Sequence, residues 1–423
     1  MSKKFKVAFL GMSHLGIVSA ISLAAKNFQC IGVDMNSSLI NDLNLGKWPI
    51  QEPRLDETYR IAKENLSFTF DLKDLSACEI IYISQDVPTD NSGNSELSGI
   101  EKLIKLASQI IPGTTRMIIL CQVPPGFTRE MKKYHLNISC QVETLIFGQA
   151  FSRALQPERI IIGLDNPNAP LESNYNSILE SFSCPIITVD FETAEFTKLS
   201  INAYLAASVS TTNSLNGIAT FIGADWSSIK QSLMLDKRIG EYAYLSPGLG
   251  ISGGNIERDL RTLDNLSLIQ DKDRISLFRT YLDNSQRNKE WLNSVIDEGI
   301  LSQNPNAKIG ILGIAYKENT NSTKNSLALA IAARYSKNIA GAYDPVAIFP
   351  EEFSHVRVFS TSQECIEASD AVIITTPWSE FAKIDWDKFA NKNPNSLVVI
   401  DPFRMISVSS KFNETKTRKL IVK

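Results

Sequence analysis

The sequence is poor in the features that mark secreted, metal-binding or nucleic-acid-binding proteins. Its six cysteines (Cys30, Cys78, Cys121, Cys140, Cys184 and Cys365) form no CxxC pair, and most lie in or beside apolar runs, which points to a reduced, cytoplasmic protein. His14, His135 and His355 have no cluster to join, so no metal is expected. A formal net charge of -3 and a pI near 5.8 leave no basic stripe, and neither nucleic acid nor an anionic membrane is an expected partner. Lys3, Lys4 and Lys6 precede an apolar run far too short for a signal peptide, and that run leads directly into a glycine turn. No low-complexity segment or short-period repeat occurs. What remains is a chain of 423 residues, enough for two or three domains with full cores.

One absence is local. After Lys198 no residue is charged until Asp225, and the stretch from Thr193 to Ile222 reads as one helix, with Thr193 as its cap and Gly223 just past its end. Such a helix would be roughly 45 Å long at 1.5 Å per residue, longer than one small domain needs. It is therefore expected to be shared between domains or subunits. Ser200, Asn202, Ser208, Ser210, Thr211, Thr212, Asn213, Ser214 and Asn216 make it too polar for a membrane span, and without charges it is expected to be buried on most sides. Lys198 and Asn202, four residues apart, project from one face. Two readings stay open for them: a lysine snorkelling to water beside a helix-helix hydrogen bond, or neighbours lining a site.

The N-terminal third has the order of a dinucleotide fold. Lys6 to Gly11 is an apolar strand, Gly11-Met12-Ser13-His14-Leu15-Gly16 opens a helix running from Ile17 to Lys26, and Cys30 to Asp34 is a second strand. This order sets a pyrophosphate on a helix N-terminus, where unpaired N–H groups and the helix dipole favour anions. Asp34, about 20 residues after the turn, would accept the ribose hydroxyls and repel a 2'-phosphate, so NAD is expected rather than NADP. Ser13 replaces the middle glycine; its side chain narrows the approach to phosphate, although its hydroxyl could donate a hydrogen bond instead. Further α/β units follow, with strands at 79–84, 117–122, 159–163 and 186–190 and a helix from Ser98 to Ile110. In open α/β sheets ligands sit at the carboxyl ends of the strands, which places Ser84 to Asp90, with Pro88, and Gln122 to Gly126 at the site. The alternative is an ordinary strand-helix turn in an α/β domain.

Beyond the long helix, Gly248, Gly250, Gly253 and Gly254 fall within seven positions and are followed at once by Glu257, Arg258 and Asp259. Clustered glycines let backbone fold tightly around a ligand and present its N–H groups. Leu249 and Ile251, interleaved with them, speak against a flexible linker.

Here the sequence resembles the UDP-glucose/GDP-mannose dehydrogenase family, the NAD-dependent nucleotide-sugar 6-dehydrogenases, in order from about Lys6 to Arg404. Gly46 to Leu55, with Pro49-Ile50 and Glu52-Pro53, resembles the family's G-x-x-P-I-x-E-P-x-L segment. Thr197-Lys198 with Asn202 and Asn213 resembles its central helix, Asp236 to Gly240 its D-x-R-I-G, and Pro247 to Asp259 its glycine loop. Gly313 to Lys317, Tyr343-Asp344-Pro345 and Trp378 to Phe381 resemble markers of its C-terminal domain.

The resemblance implies an α/β fold of two Rossmann-like doubly wound domains joined by a long central helix and a small helical dimerisation domain. The limits implied are 1–191 for NAD, 192–303 for the helical centre with the glycine loop, and 304–423 for the nucleotide sugar. The chain's own pattern agrees, with apolar strands at Lys308–Gly313, Ala340–Asp344, Ala371–Thr375 and Leu397–Asp401. Also implied are a nucleotide-sugar substrate and a homodimer through the central helix. Carried over residue by residue, Lys198 would stabilise the developing alkoxide, Asn202 would help position it, Asp259 would serve in general base chemistry through water, and Glu143 would activate the hydrolytic water. The NAD set is Gly11, Met12, Ser13, His14, Leu15, Gly16, Asp34, Pro88, Gln122, Arg258 and Lys324. The substrate set is Tyr244, Gly248, Gly250, Gly253, Lys317, Arg404 and Arg238, the last reaching a partner subunit's site; on its own residues Lys317 could equally be a solvent-facing loop lysine.

Family members oxidise a sugar C6 alcohol to the acid by two hydride transfers, with a cysteine carrying the thiohemiacetal and thioester between them. In this chain Asn255 stands at that cysteine's position and Arg258 at the usual lysine. An amide nitrogen is not nucleophilic, so the thioester route is closed unless another cysteine reaches in, and Cys121 is the one that can be placed near the site; its other reading is a small core residue. Gln122, Ile146-Phe147, and Asn321-Ser322 with Lys324 depart from the family at further positions. Three readings follow: oxidation of a UDP-glucose-like sugar at C6 toward the uronic acid through the aldehyde hydrate, or stopping at the aldehyde; an epimerase or isomerase using NAD transiently; or a catalytically silent binder of nucleotide sugar or NAD.

Overall fold

The computed structural model describes residues 5–89, 94–270, 276–392, 397–406 and 418–422. Lys3, Lys4 and the loop positions 90–93 singled out above lie outside them. Two compact units result, Met1–Ile201 and Asn202–Lys423.

The first unit is built on an eight-stranded sheet: β1 (Lys6–Leu10), β2 (Gln29–Val33), β3 (Leu66–Thr69), β4 (Ile80–Ile83), β5 (Arg116–Ile119), β6 (Ile138–Gln141), β7 (Ile160–Leu164) and β8 (Ile186–Asp190). The order is β3-β2-β1-β4-β5-β6-β7-β8, parallel throughout except where β7 runs against β6. Strands covered on both faces must be apolar at successive positions rather than alternate ones, and β4 and β7 are buried along their whole length. The chain reverses direction across the sheet between β1 and β4, so the crevice beyond their carboxyl ends is the ligand position of a doubly wound fold. The first helix (His14–Ala25) is apolar nearly all round and buries nine of its residues against this sheet.

The second unit carries a five-stranded parallel sheet, β9 (Ile309–Leu312), β10 (Ile339–Tyr343), β11 (Ala371–Ile374), β12 (Leu397–Asp401) and β13 (Arg418–Val422), in the order β10-β9-β11-β12-β13. Helices Trp226–Leu235, Asn255–Gln270 and Leu277–Ile296 precede it. Leu292 and Ile296 share one apolar core with Leu249 of the glycine loop and Ile309 and Ile311 of β9. Helical segment and sheet are thereby one packed body.

The central helix spans Phe191–Ile222 and is continuous across the division of the units. Its start is two residues earlier than the sequence suggests: Asp190, not Thr193, is the cap, its Oδ1 accepting the Thr193 N–H at 2.7 Å. The expectation of burial on most sides also needs correction. Asn202, Ala206, Ser210, Asn213 and Asn216 form a buried stripe, while Tyr204, Leu215, Ile218, Phe221 and Ile222 are exposed, Phe221 by 90 %. The charge-free stretch thus has one face in the core and one apolar face turned outward. No helix among the described residues is long and apolar enough to cross a membrane.

Candidate functional site

The glycine turn sits where the topology requires it. Gly11 adopts φ +99°, and its N–H donates to the Val33 carbonyl at 2.8 Å, hooking the turn onto the end of β2. At Gly16 a Cβ would lie 1.9 Å from the Gly11 carbonyl oxygen, so only glycine lets the first helix pack this close to its own turn. Met12 and Leu15 are buried beneath the turn, and Met12 N–H donates to Asp34 Oδ2 at 2.8 Å. Asp34 is only partly buried and keeps acceptor capacity facing outward, as a ribose diol requires. The Ser13 hydroxyl is engaged within the chain, donating to the Ser84 carbonyl (3.1 Å) and accepting the Asp86 N–H (2.8 Å). His14 is anchored: its Nε2 lies 2.9 Å from Glu52 Oε1, and its ring stands edge-on to Phe147. Pro88 is exposed in the loop after β4, its carbonyl accepting the Glu96 N–H at 2.9 Å. The conformation, the closeness allowed by Gly16 and the acid at the second strand together fit a dinucleotide.

Further along this unit, Lys198, Glu143, Gln122, Cys121 and Glu195 line one cavity of about 20 Å³, room for a water or two. Burial pushes the Glu143 carboxyl above the usual carboxylate range, while the Lys198 charge and the N–H groups of Thr144 and Leu145 pull it back. Glu195 is satisfied differently, accepting from Gly126 N–H (2.6 Å), Thr128 N–H (2.8 Å) and Thr128 Oγ1 (2.6 Å), which holds the loop after β5 against the central helix. Cys121 is buried.

In the second unit, Asn202 donates through Nδ2 to Asp259 Oδ2, although 57 residues separate them in the chain. Asp259 also pairs with Arg258 Nε at 3.3 Å, and both side chains are buried. They project from the first turns of the helix Asn255–Gln270, with Asn255, at its first position, exposed. The glycine loop is tied down along its length. Gly248 N–H donates to Asn213 Oδ1 (2.8 Å), Ile251 N–H to Ser285 Oγ (2.8 Å), Ser252 Oγ to the Tyr316 carbonyl (3.3 Å) and Asn325 Nδ2 to the Gly253 carbonyl (3.3 Å). Gly250 backs directly onto Ser285, and Lys324 lies over Gly254. Tyr244 gives its carbonyl to the hydroxyls of Ser208 (3.2 Å) and Thr212 (2.8 Å) on the central helix. Lys317 lies 5.8 Å from the centre of the Tyr316 ring, and Arg404 Nη2 donates to Thr220 Oγ1 at 2.7 Å. Arg238 is 88 % exposed at its side chain and paired with Asp236 at 2.6 Å.

Lys198 lies in the first unit's share of the helix, which ends at Ile201, and Asn202 is the first residue of the second unit. The sequence placed the loop Ser84 to Asp90 at the site without singling out Asp86, and it assigned Glu195 no role. The signal for Asp86 is its place at the carboxyl end of β4; Glu195 is one of two carboxylates, with Glu192, in the first turns of a helix otherwise nearly uncharged.

A dinucleotide turn, a buried amide-carboxylate pair and a glycine loop are the equipment of an NAD-dependent dehydrogenase. Three family models match the chain in order: the NAD-binding domain over residues 5–182, the central domain over 192–281 and the UDP-binding domain over 310–408, and the chain belongs to the UDP-glucose/GDP-mannose dehydrogenase family. Relatives span its length. The UDP-glucose 6-dehydrogenase of Rickettsia bellii is 28% identical over 404 residues, covering 90% of this chain and 91% of its own. The Bacillus subtilis UDP-glucose 6-dehydrogenase TuaD is 26% identical over 425 residues, 95% of this chain and 90% of its own. Among solved structures, a UDP-glucose dehydrogenase from Pyrobaculum islandicum superposes with a TM-score of 0.83 at 23% identity, covering 100% of this chain and 98% of that one. A UDP-D-ManNAc dehydrogenase from Pyrococcus horikoshii gives the same score and identity over 98% and 99%. These two likenesses are of fold.

Proposed function

We propose that the protein oxidises a UDP-glucose-like nucleotide sugar at C6, toward the uronic acid through the aldehyde hydrate or stopping at the aldehyde. The observation that carries this reading is the buried contact of Asn202 with Asp259, one helical turn from Lys198. A carboxylate buried with an amide and a guanidinium is costly to maintain for stability alone, whereas chemistry needs a base of fixed position. NAD, held by the turn Gly11 to Gly16 and Asp34, supplies the hydride acceptor. Lys198 stabilises the developing alkoxide and Asn202 positions it. Asp259 takes the proton through water, and Glu143, which lines the same cavity as Lys198, activates the water that adds to the aldehyde. Arg238, Tyr244, the glycine loop, Lys317 and Arg404 hold the nucleotide sugar, and Pro88, Gln122, Arg258 and Lys324 complete the cofactor's surroundings. The functional limits are 1–191, 192–303 and 304–423.

The outward apolar face of the central helix (Tyr204, Leu215, Ile218, Phe221, Ile222) supports a homodimer formed there, because an exposed stripe of this size is costly to leave in water. Light scattering on the purified chain tests it; a monomer at micromolar concentration removes that part of the proposal.

The chemistry is tested by counting NADH formed per UDP-glucose or UDP-N-acetylhexosamine consumed. Two per sugar means full oxidation without a thiol, and one means an aldehyde product. Sugar isomerisation without net NADH would replace this reading with the epimerase, and binding without turnover would replace it with the silent binder.

A further inference from the structure

At the mouth of the cofactor turn the chain supplies an anion of its own. Asp86 is exposed in the loop after β4, and its Oδ2 accepts the His14 N–H, the first of the helix, at 3.1 Å. The placement is held from several sides. Asp86 N–H donates to Ser13 Oγ (2.8 Å), and that hydroxyl donates to the Ser84 carbonyl (3.1 Å). The His14 ring is fixed by Glu52, a buried carboxylate that also accepts the N–H groups of Gly148 (2.7 Å) and Ala150 (3.2 Å). The carboxylate therefore sits on the dipole end to which a dinucleotide's pyrophosphate is drawn. One N–H cannot bond fully to a carboxylate and a phosphate at once, and two anions this close repel each other.

We propose that Asp86 competes with the cofactor's pyrophosphate for the His14 N–H. NAD must displace it to bind, and cofactor affinity is held down so that the cofactor leaves after each turnover. The inference rests on the NAD site described above. It favours a cosubstrate that dissociates as NADH over a permanently bound cofactor, and so the dehydrogenase over the epimerase.

The test is calorimetric titration of the full chain with NAD at fixed ionic strength, comparing wild type with Asp86→Ala and Asp86→Asn, and ligand-observed NMR with adenosine, which has no phosphate. Asp86→Ala should tighten NAD about tenfold, Asp86→Asn should fall between, and adenosine should bind all three equally. NAD affinity unchanged or weakened in both variants overturns the proposal. Adenosine tightening in parallel with NAD also overturns it, because a rearranged loop rather than a relieved anion would then be responsible. If no variant binds NAD at all, the cofactor reading itself falls, an outcome distinct from equal binding.

Discussion

Gly11 and Gly313 hold equivalent places at the openings of the two sheets. Each follows the first strand of its unit at strongly positive φ, +99° and +103°, and each donates its N–H at 2.8 Å to the carbonyl that ends the neighbouring strand, Val33 or Tyr343. Each turn is also capped by an aspartate from that strand, Asp34 or Asp344. There the likeness stops. Asp344 is 8 % exposed and accepts five donors: the N–H groups of Ile314 (2.7 Å), Ala315 (3.0 Å), Val346 (2.9 Å) and Ala347 (2.8 Å), and Trp378 Nε1 (3.1 Å). Asp34 accepts the N–H groups of Met12 and Asn36 and is partly exposed. A carboxylate has about four lone-pair positions, so Asp344 is saturated and Asp34 has acceptors to spare. After Gly11 a helix starts at His14; after Gly313 the next helix waits until Leu327, and the intervening loop carries Lys317 and Lys324. One scaffold has thus made its acid a ligand receptor in the first unit and a structural hub in the second.

The largest expected break in this comparison comes from Asp344→Ala. Five donors lose their acceptor, four of them backbone N–H groups, and the second unit should lose about 4 kcal/mol or more in urea unfolding. Asp34→Ala should cost under about 1 kcal/mol yet weaken NAD about tenfold by calorimetry. Similar stability losses for the two would erase the distinction. Next in size, Gly11→Val places a Cβ 2.8 Å from Gln85 in a left-handed conformation, and should cost about 3 kcal/mol and NAD binding with it. Gly313→Val, clashing with Thr376 at 2.4 Å, should destabilise the second unit and leave NAD affinity in place.

Acidity sharpens the contrast at smaller scale. Glu143 has its folded pKa raised by burial, so the native state holds that proton more tightly than the unfolded chain does. Its contribution to stability is present below the unfolded value of about 4.3 and is lost as pH rises through the folded value. Glu143→Gln should therefore be more stable than wild type at neutral pH in urea titrations; a less stable variant would show that attraction to Lys198 outweighs desolvation. The smallest effect belongs to Arg238→Ala. Its pair with Asp236 is solvent-exposed and screened, so an unaltered melting temperature is expected. If a partner's substrate needs Arg238, turnover alone will fall.

Much of the fold was legible because parallel strands buried on both faces read as unbroken apolar runs, as in β1, β4 and β9. β3 (Leu66-Ser-Phe-Thr), β6 (Ile138-Ser-Cys-Gln) and β13, which begins Arg418-Lys419, carry polar residues and gave no such run. β3 and β6 of the first sheet and the fifth strand of the second were missed for that reason, whereas β5, β7 and β8 were read as apolar runs. The freedom from charge of the central helix was visible, but a lack of charge cannot tell a face in a core from a face awaiting another surface. Asn202 and Asp259, far apart in sequence, were paired only through the family resemblance. The loop of Asp86 was placed at the site, but the acid itself gained no role there, because a single acid in a loop says nothing until its carboxylate is seen against a helix end.

With Asn255 where the family has its nucleophilic sulfur, the remaining thiols matter in another way. Cys30, Cys78, Cys121, Cys140 and Cys365 are buried and Cys184 partly so, and burial pushes Cys78 up to about 11 and Cys140 and Cys365 up to about 12. Thiols so reluctant to ionise react slowly with iodoacetamide and peroxide. In the folded protein, alkylation or oxidation at Cys78, Cys140 and Cys365 should be slow beside attack on an ionised sulfur, which intact-mass spectra after timed iodoacetamide exposure would check.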